Sequence, residues 1–279
     1  MSVQFACNGD IEIAYETFGS APGRPLLLLH GAGAPMLGWP EAFCAALVER
    51  GFHVARCDNR DAGRSSRATR PYTVADMATD GSSVLDALHW PAAHIVGMSL
   101  GGMIGQVMSA RHPDRVLSLT SMCSAPDASM WRTKISVLLR FLALNCRKPS
   151  GPDAAGERMV KLHQLVGSTG YPQDEDWIRR IGREAHAHRT DFAAARRQAA
   201  AARASGNRRA ELSTITAPTL VLSGDADPLQ PPRAGKATAD AIPGARFVSY
   251  PGMGHDLPPA LWPAIIDDID DIATTRTGR

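Results

Sequence analysis

Several features that would assign a chain to a class at once are missing from these 279 residues. No run of about 18 apolar residues is present, so the sequence predicts no transmembrane helix. The first residues do not combine a basic stretch with an apolar one, which predicts no secretory signal and a cytoplasmic location. Aromatic residues make up only 6% of the chain, and they do not alternate with basic residues as a base-stacking surface requires. We therefore expect neither membrane nor nucleic acid as a partner.

Cysteine is also scarce, and its spacing excludes two further classes of site. The five cysteines are odd in number and never take the paired spacing of zinc ligands: Cys7, Cys44, Cys57, Cys123 and Cys146. Such a distribution predicts buried free thiols in a reducing compartment rather than a disulfide framework. The only other metal-like pattern is an Asp-x-Asp pair at Asp225 and Asp227, and no histidine or glutamate cluster supports it. We predict no metal site.

The most informative stretch that is present reads HIVGMSLGG over residues 94–102. A short apolar strand leads into a Gly-x-Ser-x-Gly turn, and a helix-like segment follows. Glycines at 97 and 101 let the strand and the helix approach closely, while Ser99 occupies a strained turn at the strand's end. This setting is typical of a serine nucleophile, and it requires an acid and then a histidine later in the chain.

Candidates for both partners follow Ser99 in that order. The strand-like run 220–222 leads into a turn that holds Asp225 and Asp227. A carboxylate just past a strand is well placed to orient a catalytic histidine. The residues alone leave both aspartates open, with a turn-capping role as the alternative for Asp225. His255 lies in a glycine-rich loop after the last strand, at the sheet edge where open α/β sheets bind ligands.

Acyl transfer also needs hydrogen-bond donors for the developing oxyanion, and fixed backbone amides serve best. The amide of Leu100, directly after Ser99, is one candidate. The loop His30–Gly33 (HGAG) supplies the other, with Ala32 as first choice and Gly33 as second. In isolation this loop would be an ordinary glycine-rich turn, but its pairing with Ser99 favours a catalytic interpretation. The predicted substrate contacts are Gly31, Trp131 and Met253.

Strand-like and helix-like patterns alternate in the first and last parts of the chain. Thr73 opens one helix with Asp76 three residues later, an acidic variant of the capping box. Alternation of this kind predicts an α/β fold with a mostly parallel sheet covered by helices on both faces. The stretch between is mainly helical. We therefore predict a core domain over residues 1–126 and 212–279, interrupted by a helical lid insertion over residues 127–211.

The predicted insertion is rich in basic residues, with 16 basic against 9 acidic side chains. Two interpretations stay open. The arginines cover the outer faces of the helices in contact with solvent, or they steer an anionic substrate toward the site. The apolar residues of the insertion, Trp131 among them, pack the lid onto the core or line an acyl pocket.

Taken in order, these motifs resemble the α/β-hydrolase superfamily. They are His30-Gly31, Asp58-x-Arg60, Gly97-x-Ser99-x-Gly101, Gly224-x-x-Asp227 and Gly254-His255. Within it the chain resembles the aclacinomycin methylesterase group, through LGWP at 37–40, HVAR at 53–56, RDAGRS at 60–65 and PGMGHDLP at 251–258. One departure is Asp61, where the common pattern has glycine.

The resemblance implies an α/β-hydrolase fold in which Ser99 is the nucleophile, His255 the base and acid, and Asp227 the orienting carboxylate. It implies a carboxylesterase that cleaves an ester of a hydrophobic, polyketide-like small molecule through an acyl-enzyme, with no metal or organic cofactor. A thioesterase or a C–C bond hydrolase would use the same triad. Outside the enzymes, the alternative is a non-catalytic ligand-binding protein of the same fold.

Overall fold

The computed structural model describes residues 2–128, 133, 135–146, 148–188 and 192–275. Eight strands within these residues form one sheet in the order β1-β2-β4-β3-β5-β6-β7-β8. Their bounds are β1 Gln4–Asn8, β2 Ile11–Phe18, β3 Arg24–Leu29, β4 Phe52–Cys57, β5 Ala93–Met98, β6 Val116–Met122, β7 Thr219–Gly224 and β8 Arg246–Tyr250. The first two strands pair antiparallel, and β3 to β8 run parallel, which confirms the mostly parallel sheet.

Helices cover both faces of the sheet. The described helices are α1 Glu41–Glu49, α2 Val74–Ala87, α3 Leu100–Arg111, α4 Ile135–Asn145, α5 Pro152–Val166, α6 Glu175–Ala187, α7 Phe192–Ala204, α8 Arg209–Leu212, α9 Pro232–Ala239 and α10 Trp262–Thr274. Leu26 and Leu28 of β3 face a core shared with α1 and α10. Leu27 and Leu29 face the opposite core, shared with α2, α3 and α9. The uninterrupted apolar run in β3 follows from this burial on both sides.

Helices α4 to α8 all lie between β6 and β7 in the chain, and we call them the helical segment. These helices lie between Ile135 and Leu212, and the sequence predicts an insertion over residues 127–211. Helices α5 and α6 pack closely against each other. A Cβ added to Gly156 would lie only 3.0 Å from the Arg179 carbonyl oxygen. No helix in the described ranges combines the length and the apolar composition that a membrane crossing requires.

Local sequence signals account for several element boundaries. The side chain of Thr73 accepts from the Asp76 amide, and the Asp76 carboxylate accepts from the Thr73 amide, so the capping box is present. All five cysteines are free, as predicted. Cys7 and Cys146 are exposed, however, and the expectation that the thiols are buried is wrong for these two. Cys7 lies on edge strand β1, where only Ala6 is buried.

Candidate active site

Ser99 occupies the sharp turn between β5 and α3. Its backbone angles are φ 55° and ψ −116°, a conformation that costs a non-glycine residue about 1–3 kcal/mol. Its amide donates to the Met122 carbonyl over 2.8 Å, and its carbonyl accepts from Ser124 Oγ over 2.8 Å. A Cβ on Gly97 would overlap the carbonyl of Gly101, so the close crossing of strand and helix requires glycine there.

Asp227 and His255 form a direct pair at the same edge of the sheet. His255 Nδ1 donates to Asp227 Oδ2 over 2.7 Å. The other carboxylate oxygen, Oδ1, accepts the amides of Leu229 and Gln230 at 2.8 Å each. Asp227 is therefore held on both sides, and the ring of His255 is oriented with Nε2 as its free nitrogen.

Asp225, the competing carboxylate, lies elsewhere. Its Oδ1 accepts from the amide of Gly252 over 2.6 Å, so the side chain joins two turns at the end of β7 and β8. This is the turn-stabilising role that the sequence leaves open for it. The geometry thus pairs His255 with Asp227, and Asp225 takes part only in the turn.

Neighbouring carboxylates govern the pKa of His255. Burial alone would lower it, but the charge and hydrogen bond of Asp227, with the charge of Asp256, outweigh burial and raise the pKa above its ordinary value. The described residues contain no hydrogen bond between Ser99 Oγ and His255. Bonds of this type are often long without substrate and tighten in the complex.

The two predicted oxyanion donors are both available. Neither the amide of Ala32 nor that of Leu100 has a hydrogen-bond partner among the described residues. Leu100 is the first residue of α3, where amides lack intrahelical partners and the helix dipole favours negative charge. The amide of Gly33, the second choice in the sequence analysis, already donates to Gln198 Oε1 over 2.6 Å. Ala32 is therefore the better candidate.

The loop that carries Ala32 is braced from within. His30 Nδ1 accepts from the amide of Gly31 over 2.7 Å. Burial lowers the pKa of His30 to about 4, so the ring stays neutral and keeps this acceptor. A Cβ on Gly31 would lie 3.2 Å from Ser99 Cβ, which places this glycine directly beside the serine.

The loop that carries His255 is braced by the helical segment. The amide of His255 donates to the Val166 carbonyl over 2.7 Å, and that of Gly254 donates to Ser168 Oγ over 2.9 Å. The Asp256 carboxylate accepts from the amide of Ser168, over 3.0 Å, and from its hydroxyl. Sequence reasoning did not find Ser168, because no motif marks the turn between α5 and α6.

A cavity of about 770 Å³ opens beside the pair. Met98 and His255 line it from the sheet domain, and His163 and Trp177 line it from the helical segment. Burial lowers the pKa of His163, so this ring faces the cavity uncharged at neutral pH. Apolar groups form the larger part of the cavity wall, and charged side chains from both parts of the chain, Glu41, Asp176 and Arg180 among them, form the rest.

The predicted substrate contacts differ in where they lie. Gly31 is beside Ser99, as described above. Met253 is fully buried, in the core that also holds Leu220 and Leu222, and its carbonyl accepts from the Ala226 amide over 3.0 Å. The structure thus places Met253 behind the site. Trp131 lies outside the described residues.

One group among the described residues has the composition of a metal site. Cys123, Asp227 and His255 each offer an atom within 4.8 Å of the others. Burial, followed by the charge of Asp227, raises the pKa of the Cys123 thiol well above its usual range, which opposes the thiolate that a metal needs. The Asp227 and His255 atoms already bond each other. The group therefore fits an aspartate–histidine pair better than a metal centre.

Comparison with known proteins identifies the family of this chain. A family model of the alpha/beta hydrolase fold matches residues 24–258. The chain belongs to the α/β hydrolase family. The rhodomycin D methylesterases DauP of Streptomyces sp. (strain C5) and DnrP of Streptomyces peucetius are similar to this hydrolase. They are 36% and 33% identical to it, each over 94% of both chains. These matches confirm the resemblance to the methylesterase group, and they support a hydrolase as the broad activity.

A solved structure supports the fold of this hydrolase. The enol-lactonase from Burkholderia xenovorans LB400 superposes with a TM-score of 0.80 at 24% sequence identity. The match covers 98% of this chain and 100% of the enol-lactonase. A likeness at this level of identity concerns the fold. It confirms the predicted α/β-hydrolase architecture independently of the motifs around Ser99.

Proposed function

We propose that this hydrolase cleaves a carboxylic ester of a hydrophobic small molecule through an acyl-enzyme on Ser99. The observation that carries the proposal is the meeting of three features at one sheet edge. Ser99 is held in a strained turn, His255 is oriented by Asp227, and the amides of Ala32 and Leu100 have no partner in the described chain. Together they supply a nucleophile, a base and an oxyanion site.

The reaction follows from this arrangement. His255 Nε2 takes the proton of Ser99 Oγ as the oxygen attacks the ester carbonyl carbon, and the carbonyl oxygen becomes an oxyanion held by the two amides. The tetrahedral intermediate then expels the alcohol, which receives the proton from His255 and leaves an acyl-enzyme. Water, deprotonated by His255, attacks the acyl carbon and releases the carboxylic acid, and His255 returns the proton to Ser99.

We propose a methyl ester of a polycyclic, polyketide-like acid as the substrate. The relatives are named as methylesterases of rhodomycin D, and a leaving group as small as methanol needs little room beside His255. The cavity supports a broad, apolar acyl part, because Trp177 and Trp262 line it together with Met98 and Met159. Aromatic side chains offer large flat surfaces for such a ligand.

We further propose that the helical segment acts as a lid. It corresponds to the lid insertion that the sequence predicts over residues 127–211. Its helices α5 and α6 line the cavity. Three of its arginines, Arg179, Arg183 and Arg209, form ion pairs with carboxylates, which favours a structural role for these three over substrate steering. Arg180 lines the cavity and is the group through which an anionic substrate would be recognised.

A fluorophosphonate probe tests the proposed nucleophile. Wild-type protein, Ser99→Ala and Ser83→Ala are labelled with the probe, and p-nitrophenyl ester turnover is followed in parallel. Ser83 donates to the Asp80 carbonyl on α2, so it is a matched serine remote from the site. We expect labelling and turnover in wild type and Ser83→Ala, and neither in Ser99→Ala. A wild-type protein that neither labels nor turns over ester would instead support a ligand-binding role.

A further inference from the structure

Gln198 of α7 bridges the helical segment and two loops of the sheet domain. The side chain is fully buried, and both ends of its amide are in use. Oε1 accepts from the amide of Gly33 over 2.6 Å, and Nε2 donates to the carbonyl of Arg60 over 2.7 Å. Because a backbone amide can only donate, the orientation of the glutamine amide is determined by Gly33.

The bond to Gly33 reinforces a loop with few bonds of its own, which run from the Gly31 amide to His30 Nδ1 and from the Ala34 amide to the Gly31 carbonyl over 3.3 Å. Ala32 lies between two glycines, and such a sequence has little intrinsic conformational preference. Gly33 has φ 71°, and a Cβ there would lie 3.0 Å from Ala195 Cβ on α7. On its other side, the His30 carbonyl accepts from Asn59 Nδ2 over 2.8 Å. The Ala32 amide is therefore fixed by contacts on both flanks, and α7 provides one of them.

An ion pair one residue from Gln198 holds α7 against the loop after β4. Arg197 donates to both carboxylate oxygens of Asp61, at 2.9 and 2.6 Å. Asp61 is fully buried and has φ 70°, and it also accepts from Tyr72 Oη over 2.8 Å. This is the position at which the common family pattern has glycine. The departure therefore has a physical role here, since the carboxylate anchors the helix that carries Gln198.

We propose that Gln198 is a positioning residue for the oxyanion hole, which fixes the Ala32 amide by holding the adjacent Gly33 amide. The inference rests on the proposed function, because it concerns the same oxyanion. It makes α7 part of the catalytic apparatus, in addition to any role as a cover. Oxyanion donors act through preorganisation, and displacing one lowers the rate without affecting substrate binding to the same extent.

Two variants separate positioning from packing. Gln198→Met keeps the side-chain length and removes both hydrogen bonds. Gln198→Glu keeps the acceptor for the Gly33 amide and loses the donor to Arg60. The matched control is Gln164→Met on α5, whose side chain makes only an exposed bond to Glu175. Each is compared with wild type in kcat and KM for a p-nitrophenyl ester. The inhibition constant is measured for a trifluoromethyl ketone, which forms a tetrahedral oxyanion, and for the carboxylate product, which forms none.

We expect Gln198→Met to lower kcat by about 10–100-fold, less than the effect of losing an oxyanion donor outright, with KM within about twofold. The trifluoromethyl ketone should bind more weakly by a similar factor, while product binding is unchanged. Gln198→Glu should recover part of the loss, and Gln164→Met should match wild type.

The proposal is overturned if folded Gln198→Met keeps wild-type kcat, or if the ketone and the product lose affinity equally. Where Gln198→Met does not fold, a Gln198→Glu variant equal to Gln198→Ala in kcat and ketone affinity overturns it too. A wild-type enzyme without Ser99-dependent turnover would be a failure of the proposed function, and it would be recognised before any Gln198 variant is measured.

Discussion

At the residue scale, the proposed mechanism makes the reaction rate depend on the protonation of His255. The ring must be neutral to take the Ser99 proton, and Asp227 with Asp256 stabilises the charged form. We therefore expect kcat/KM to rise with pH along an acid limb whose apparent pKa lies above 6.5, the ordinary value for histidine. A pH–rate profile of wild type measures it. An acid limb below pH 6.5 would contradict the assignment of His255 as base.

The two aspartates of the β7 turn offer a matched pair of substitutions. Asp227→Asn removes the carboxylate bonded to His255 Nδ1, and we expect kcat to fall by about 10³–10⁴-fold, with the acid limb moving to lower pH. Asp225→Asn alters only the bond to Gly252, so kcat should stay within about twofold. Steady-state kinetics on both proteins decide the matter. Equal losses of kcat in the two variants would show that the conformation of the turn, and not the carboxylate bonded to His255, determines the activity.

Local motifs predict some residues of this site and leave others out, for a physical reason. Sequence motifs mark Ser99, Leu100 and the Ala32 loop, because the backbone there requires glycines at set spacings. The choice of Asp227 over Asp225 came from resemblance, since both follow the same strand. Gln198 and Ser168 carry no local signal at all. Their partners are about 165 and 86 to 88 residues away in the chain, and only the fold brings them together.

At the scale of elements, helix α2 is held to the loop after β4 by a buried ion pair. Arg60 Nε and Nη2 contact the two oxygens of Asp80, whose side chain is 4% exposed. Asp80→Asn leaves a buried guanidinium without its charge partner, and we expect a loss of about 3–5 kcal/mol in the free energy of unfolding. Urea denaturation at neutral pH measures the loss.

The control for this prediction lies on the same helix. Asp86 pairs with Arg115, but its side chain is 67% exposed, and Asp86→Asn should cost less than about 1 kcal/mol because solvent screens exposed pairs. Similar losses for the two variants would mean that burial does not govern the strength of the Arg60–Asp80 pair.

Helices and strands can be predicted from sequence where the apolar pattern and the capping or turn residues at the ends agree. Helix α2 begins at the capping box of Thr73, as predicted, and the unbroken apolar run of β3 is typical of a strand buried on both faces. The antiparallel edge strand β1 carries no such signal, because its burial is confined to Ala6 and the pattern contains no alternation to detect. Pairing with β2 across the whole of β1 stabilises it instead, and this long-range bonding cannot be deduced from five residues alone.

At the scale of the whole molecule, charge is distributed unevenly, and the net formal charge is only +2. Because several described arginines of the helical segment form ion pairs, Arg179, Arg183, Arg197 and Arg209 among them, we expect kcat/KM for an anionic and a neutral ester to change by the same factor between about 0.05 and 0.5 M NaCl. Stopped assays with the two esters measure the factors. A steeper fall for the anionic ester, removed by Arg180→Gln, would show that the segment steers its substrate.

The end of α5 and the turn before α6 meet the His255 loop through six hydrogen bonds spread over residues 166–171 and 251–256. Replacing the helical segment as a block would break these bonds and with them the support of the His255 loop. We therefore expect altered substrate preference to be reached by substituting individual cavity-lining side chains, with residues 166–171 kept as they are.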